Sequence, residues 1–172
     1  MKKIIASIIN NLVTSSDSEA FTLFEKSRFG EKMNGKIIYT LPEAMFLSDK
    51  NKIDILQKGK SLSKKEIEKK FNSIDKKFQI KYVVFKDLRE NGYIVKTALK
   101  FGAEFRVYEK GFTPDEEHAK WIVFTEHESK KFSWHEFSAK NRIAHSTNKK
   151  LLLAIVDEEG DVTYYEVGWI KP

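Results

Sequence analysis

Apolar residues keep two different rhythms on either side of residue 78. Before it they are scattered among lysines, as in "LPEAMFLSDKNKIDILQKGKSLSKKEIEKKFNSIDKKF", and form no long run. The opening "MKKIIASIINNLV" is an apolar stretch interrupted by Ser7, Asn10 and Asn11, with no small-residue cleavage site after it. It therefore predicts a first strand or helix of the mature protein and not a secretory leader. Leu41-Pro42 predicts a helix start, because the N–H that proline lacks would be unpaired in a first turn anyway, and Ser63 caps a second helix ending near Asn72.

After residue 78 the periodicity strengthens. "FQIKYVVFKDLRENG" sets Ile80, Val83, Val84 and Leu88 on one helical face and stops at Asn91-Gly92. Runs of strand character follow in "YIVKTALKF", "EFRVYE" and "KWIVFTE". A helix from about Trp134 to Ser146 comes next, and "LLLAIVDEEGDVTYYEVGWI" then reads as a hairpin pair. The order predicts an α/β (α+β) protein with a small mixed α+β N-terminal domain, residues 1–78, and a mixed α/β C-terminal domain, residues 79–172. In the last strand Val162, Tyr164 and Ile170 fall on one face and Tyr165, Val167 and Trp169 on the other, a pattern expected of burial on both sides.

Composition narrows the chemistry. The 31 Lys and Arg outnumber the 25 Asp and Glu, for a net charge of +6, which suits an anionic partner. Cysteine is absent, so disulfides, thiolate-zinc sites and a cysteine nucleophile are excluded, and a reducing, cytoplasmic setting is expected. No segment reaches eighteen apolar residues, so no membrane partner is expected. His118, His127, His135 and His145 stand nine, eight and ten positions apart, a spacing that matches no helical or hairpin pair of metal ligands. No metal and no cofactor are expected.

The remaining candidates lie around one loop and one turn. His118 follows "GFTPDEE" and precedes the strand "AKWIVF", so its ring could be presented at a loop-strand junction, although a histidine is ordinarily a hydrogen-bonded surface residue. Tyr108 ends the strand before the same loop, facing His118 across it. Alternation puts Phe105 and Val107 on one face and Glu104, Arg106 and Tyr108 on the other, which predicts a half-exposed rim tyrosine. Lys149 and Lys150 stand where a helix gives way to "LLLAIV", a place where a lysine ordinarily just offsets the helix dipole. A tyrosine, a histidine and a lysine together suit transfer of an RNA phosphodiester onto its own 2′-hydroxyl. One group takes the 2′-proton, a second protonates the departing 5′-oxygen, and a cation stabilises the phosphorane-like transition state. A phenol titrating near ~10 is a poor base unless cations such as Lys149 and Arg106 lower its pKa; otherwise Tyr108 orients the hydroxyl.

The segments "LRENGYIVKTALKFGAEFRVYEKG", "HAKWIVF" and "NRIAHSTNKKLLLAIVDEEGDVTYYEVGWIKP" closely resemble the archaeal tRNA-splicing endonuclease family. The likeness covers residues 80 to 172 and extends more faintly upstream. It implies a catalytic C-terminal domain and an N-terminal domain serving structure and assembly. By the F-R-x-Y strand, the histidine ten positions on and the A-H-S-x-x-K turn, it implies a catalytic set of Tyr108, His118 and Lys149. It also implies a bulge-base-stacking role for Arg142, with Arg106 near the RNA. The implied reaction is metal-independent cleavage of precursor tRNA at a bulge-helix-bulge, leaving a 2′,3′-cyclic phosphate and a 5′-hydroxyl. The alternatives are a non-catalytic structural subunit of the same endonuclease and a plain RNA-binding module. Asn148 stands where the family usually has a further basic residue, and Ala98 where a glycine is common.

An acidic loop next to RNA would repel phosphate. The resemblance implies that Asp157, Glu158, Glu159 and Asp161 form an assembly loop that enters a basic cleft of a neighbouring subunit; read alone, the segment is a solvated hairpin turn. A homotetramer, or a heterotetramer with a second structural subunit, is the implied assembly.

Overall fold

The computed structural model describes residues 2–111, 114 and 118–170. The chain separates into two compact units, residues 1–82 and 83–172, and is mixed α+β as expected.

The first unit is built on a six-stranded sheet. Its elements are β1 (Ile4–Ile9), β2 (Leu12–Ser15), α1 (Ser18–Ser27), β3 (Glu31–Met33), β4 (Lys36–Tyr39), α2 (Leu41–Asp49), β5 (Ile53–Gln57), β6 (Lys60–Ser61) and α3 (Lys64–Ile74). The strand order is β3-β4-β2-β1-β5-β6, with β1 and β5 parallel. The opening stretch, left open between strand and helix by its pattern, is a β-hairpin. Asn10 and Asn11 form its turn at φ of 49° and 63°, the left-handed region that asparagine tolerates and a two-residue hairpin turn requires. Helix α2 begins at Leu41-Pro42 and is buried from Pro42 to Ser48, which is why no amphipathic stripe marks it. Its capping box places the Glu43 carboxylate, 3% exposed, where it accepts from Thr40 N and Gly30 N, each at 2.9 Å. Ser63 caps α3 in the same way, and that helix runs two residues past Asn72 to Ile74.

The second unit carries the candidate site. Helix α4 (Phe78–Glu90) begins in the first unit and continues into the second, followed by β7 (Ile94–Ala98), a 3₁₀ turn (Leu99–Phe101), β8 (Ala103–Tyr108), β9 (Trp121–His127), α5 (Trp134–Ser146), β10 (Lys150–Val156) and β11 (Val162–Val167). The sheet runs β11-β10-β9-β8-β7. Every neighbouring pair is antiparallel except β9 and β10, which are parallel and joined through α5, as a parallel pair requires a crossover. Helix α4 lies on one face, where Phe85 meets Phe105 at 5.9 Å and Tyr164 donates to Asp87 at 2.7 Å. Helix α5 lies on the other, over a core of Ala98, Ile122, Phe124, Ala144, Leu151 and Leu153.

Two extents differ from the sequence pattern. "YIVKTALKF" is strand only to Ala98: a bulge between Thr97 and Ala98 interrupts the register, and the 3₁₀ turn after it ends on Gly102 at φ 72°. The last strand stops at Val167, ahead of Gly168, so Ile170 does not share a strand face with Val162 and Tyr164 and is 85% exposed. Strand β11 is the edge of the sheet, and the two-sided burial expected of it is not met within the chain. Tyr164 is half-buried toward α4, whereas Tyr165 on the opposite face is 55% exposed.

Candidate active site

Three segments meet at one end of the central strands of the second sheet. Lys120 N donates to Val107 O and Lys150 N to Lys120 O, both at 2.9 Å, which joins the end of β8 to the starts of β9 and β10. Tyr108, His118 and Lys149 each lie within two residues of one of these bonds. Lys149 is further tied to the last turn of α5, where its N–H donates to Ala144 O at 2.9 Å. The chain therefore brings three residues, far apart in sequence, to neighbouring strand ends.

Register separates the two faces. Arg106 stands opposite Lys96 on β7 and Ile122 on β9, and Tyr108 stands opposite Ile94. Because Ile122 belongs to the core beneath α5, Arg106 and Tyr108 occupy that face. Lys150 turns the other way to pair with Glu166, and the residue before it, Lys149, sends its side chain to the α5 face. There the Lys149 Nζ lies 5.9 Å from the centre of the Phe101 ring and donates to Thr147 O at 2.9 Å.

Burial, followed by the positive charges of Arg106 and Lys100, holds the Lys149 amine below the usual lysine range. Three cations thus share one neighbourhood. Among the described residues none of them forms an ion pair with a carboxylate. The Arg106 Nε is buried with no hydrogen-bond partner among those residues, a costly state unless an acceptor arrives from outside.

Tyr108 departs from expectation. It is 4% exposed and not a half-exposed rim residue. Alternation identifies the face correctly but cannot tell whether that face is covered, because the covering layer comes from chain distant in sequence. His118 is exposed, three positions ahead of β9. Most of the loop that would set Tyr108 opposite His118, residues 112, 113 and 115–117, lies outside the described residues. Arg142 is exposed on α5, near the end of the helix that leads into the turn carrying Lys149.

The remaining histidines do not gather. His127 Nδ1 is 2.8 Å from Ser129 Oγ, and His145 packs on Trp169 at 4.4 Å between ring centres. Both departures from the family pattern have a local account. Asn148 adopts φ 54° in the tight link from α5 to β10, a left-handed position that suits asparagine better than lysine. Ala98, at φ −124° and fully buried, needs no glycine. The pattern-based reading missed Lys100 and Phe101, because a continuous strand through "TALKF" gives no sign of the bulge and turn that swing them to the α5 face.

The acidic loop is a tight hairpin turn. Asp161 N donates to the Asp157 carboxylate at 2.8 Å, Gly160 at φ 86° donates to Asp157 O at 3.2 Å, and Glu158 N donates to Glu128 Oε1 at 3.2 Å. The Asp157 and Glu128 carboxylates thus build the turn. Glu158, Glu159 and Asp161 are exposed and make no ion pair among the described residues.

Comparison with known proteins gives consistent matches. Residues 78–164 match the tRNA intron endonuclease catalytic C-terminal domain, and residues 5–68 match the N-terminal domain of the same family. A tRNA-splicing endonuclease of Thermococcus kodakarensis is 41% identical over 98% of this chain and 99% of its own length. One from Thermococcus onnurineus is 44% identical over 87% of this chain and 85% of its own. A third, from Nanoarchaeum equitans, is 44% identical over 77% of this chain and 88% of its own.

Proposed function

Because this chain belongs to the tRNA intron endonuclease family, we propose that it cleaves precursor tRNA at bulge-helix-bulge junctions without a metal, leaving 2′,3′-cyclic phosphate and 5′-hydroxyl ends. The observation that carries the reading is the joining of the segments bearing Tyr108, His118 and Lys149 at one end of the central strands, beside a group of cations that no described carboxylate neutralises.

In this reading Tyr108 positions or deprotonates the 2′-hydroxyl, His118 protonates the leaving 5′-oxygen, and Lys149 with Arg106 stabilises the phosphorane-like transition state. Burial of Tyr108 holds its hydroxyl in place, as an orienting group requires. Exposed Arg142 offers its guanidinium plane to a bulge base, a contact tolerant of sequence. The domain boundary at residues 78 and 79 divides an assembly domain from the catalytic one. Two bulges in one substrate need two active sites at a fixed separation, so chains pair through the exposed face of β11. The acidic loops then join pairs into a homotetramer, or into a heterotetramer with a second structural subunit.

The test is cleavage of a bulge-helix-bulge RNA in excess chelator, with end-group analysis of the products. Cleavage should persist and yield cyclic phosphate. His118→Ala should slow it by roughly two to four orders of magnitude while RNA binding is kept. Chelator-sensitive cleavage, or a variant that loses binding and keeps turnover at saturation, would refute the assignment.

A further inference from the structure

The connection between β7 and β8 is shaped more elaborately than a hairpin needs. A bulge at Thr97/Ala98, the Leu99 N–H donating to Thr97 Oγ1 at 3.4 Å, and a left-handed Gly102 whose N–H bonds Leu99 O at 2.9 Å together fix the turn Leu99–Phe101. Bulges re-aim side chains. Here the result is that the Phe101 ring has the Lys100 Nζ 5.0 Å from its centre and the Lys149 Nζ 5.9 Å from it. The two ammonium groups can be no farther apart than the sum of those distances, and both lie within cation–π range of one ring. The Arg106 Nε, buried and unpartnered among the described residues, lies on the same face.

Like charges held together repel, and an anion bound among them relieves that repulsion. The proposed reaction requires one phosphate, at Lys149. We propose that Lys100, on the turn between β7 and β8, holds a second, neighbouring phosphate of the RNA strand, with the Phe101 ring setting its distance from the phosphate under attack. The inference rests on the reading of this site as an RNA endonuclease. Lys100 acts as a positioning residue: it fixes the register of the strand, so that the scissile phosphate reaches Lys149 and Arg106 instead of a neighbour one nucleotide away.

The test compares wild type, Lys100→Ala and Lys100→Arg in cleavage of a bulge-helix-bulge RNA across a salt series, with Lys69→Ala as an exposed-lysine control on α3. Lys100→Ala should lower kcat/KM about tenfold, mainly through KM. It should also make the fall of log kcat/KM with log salt shallower by about 0.7 to 0.9, the signature of one lost phosphate contact. Lys100→Arg should restore both. An unchanged KM and slope in Lys100→Ala, or an equal change of slope in Lys69→Ala, overturns the inference and leaves the endonuclease reading standing. Failure of the wild type to cleave the RNA refutes the endonuclease reading itself.

Discussion

At the scale of single residues, the site is arranged against its own stability. Lys149 carries a charge that burial, Arg106 and Lys100 all disfavour, and its folded pKa lies below its unfolded value. Between those two values the unfolded chain binds more protons than the folded one, so this residue makes stability rise with pH there; below both, the full penalty is present. Lys149→Met should therefore raise the melting temperature at neutral pH while abolishing cleavage, and the gain should fade as the pH climbs through the folded pKa. A variant that melts lower at neutral pH would show that Lys149 is held by favourable contacts instead. The residue types of this cluster were only partly legible. Tyr108, His118 and Lys149 stand out through motifs that resemble a family, whereas Lys100 and Phe101 carry no motif and acquire meaning from a bulge that no pattern announces.

At the scale of elements, local chemistry was more transparent. Pro42 and Ser63 mark the helix starts found at α2 and α3, because capping is settled within a few residues of chain. The attachment of β11 to α4 is a different matter, since it depends on Tyr164 and Asp87 meeting at 2.7 Å from opposite ends of the second unit. Burial, then the hydrogen bond and charge of Asp87, push the Tyr164 phenol above its ordinary range, so it remains a donor. Tyr164→Phe leaves a carboxylate without that donor beside a cavity of about 270 Å³. It should destabilise the protein by about 1 to 3 kcal/mol in urea unfolding. A change within about 0.3 kcal/mol would mean that water replaces the hydroxyl without loss.

At the scale of the whole molecule, charge is divided between the basic strand end around Lys149 and an acidic hairpin, with β10 between them. Asp157 is occupied in its own turn, accepting from Asp161 N, so the groups open to a partner are Glu158, Glu159 and Asp161. Replacing Asp157 by Asn keeps an acceptor for the turn. Combined with Glu158→Gln, Glu159→Gln and Asp161→Asn, it should weaken tetramer formation in sedimentation at moderate salt and leave the melting of the isolated chain nearly unchanged. In the proposed assembly, high salt should weaken the unmodified tetramer in the same direction, because the proposed contact would join opposite charges. A neutralised chain that stays fully tetrameric and equally salt-resistant would reduce the loop to a hairpin turn.

Sequence alone determined the element types of the second unit, the starts of α2 and α3, the mixed α+β plan and the face on which Arg106 and Tyr108 lie. Each of these is written in periodicity or capping within some ten residues, or in the family motifs. Tertiary structure decided the rest. It made Tyr108 buried, because coverage of a face depends on parts of the chain distant in sequence. It ended the strand at Ala98 and turned Lys100 toward Lys149. It also brought the segments of the three catalytic candidates to one end of the central strands through hydrogen bonds between segments far apart in the chain. The physical reason is common to all three: burial, register and the company of charges are properties of pairs of residues, and a local pattern reports only one member of each pair.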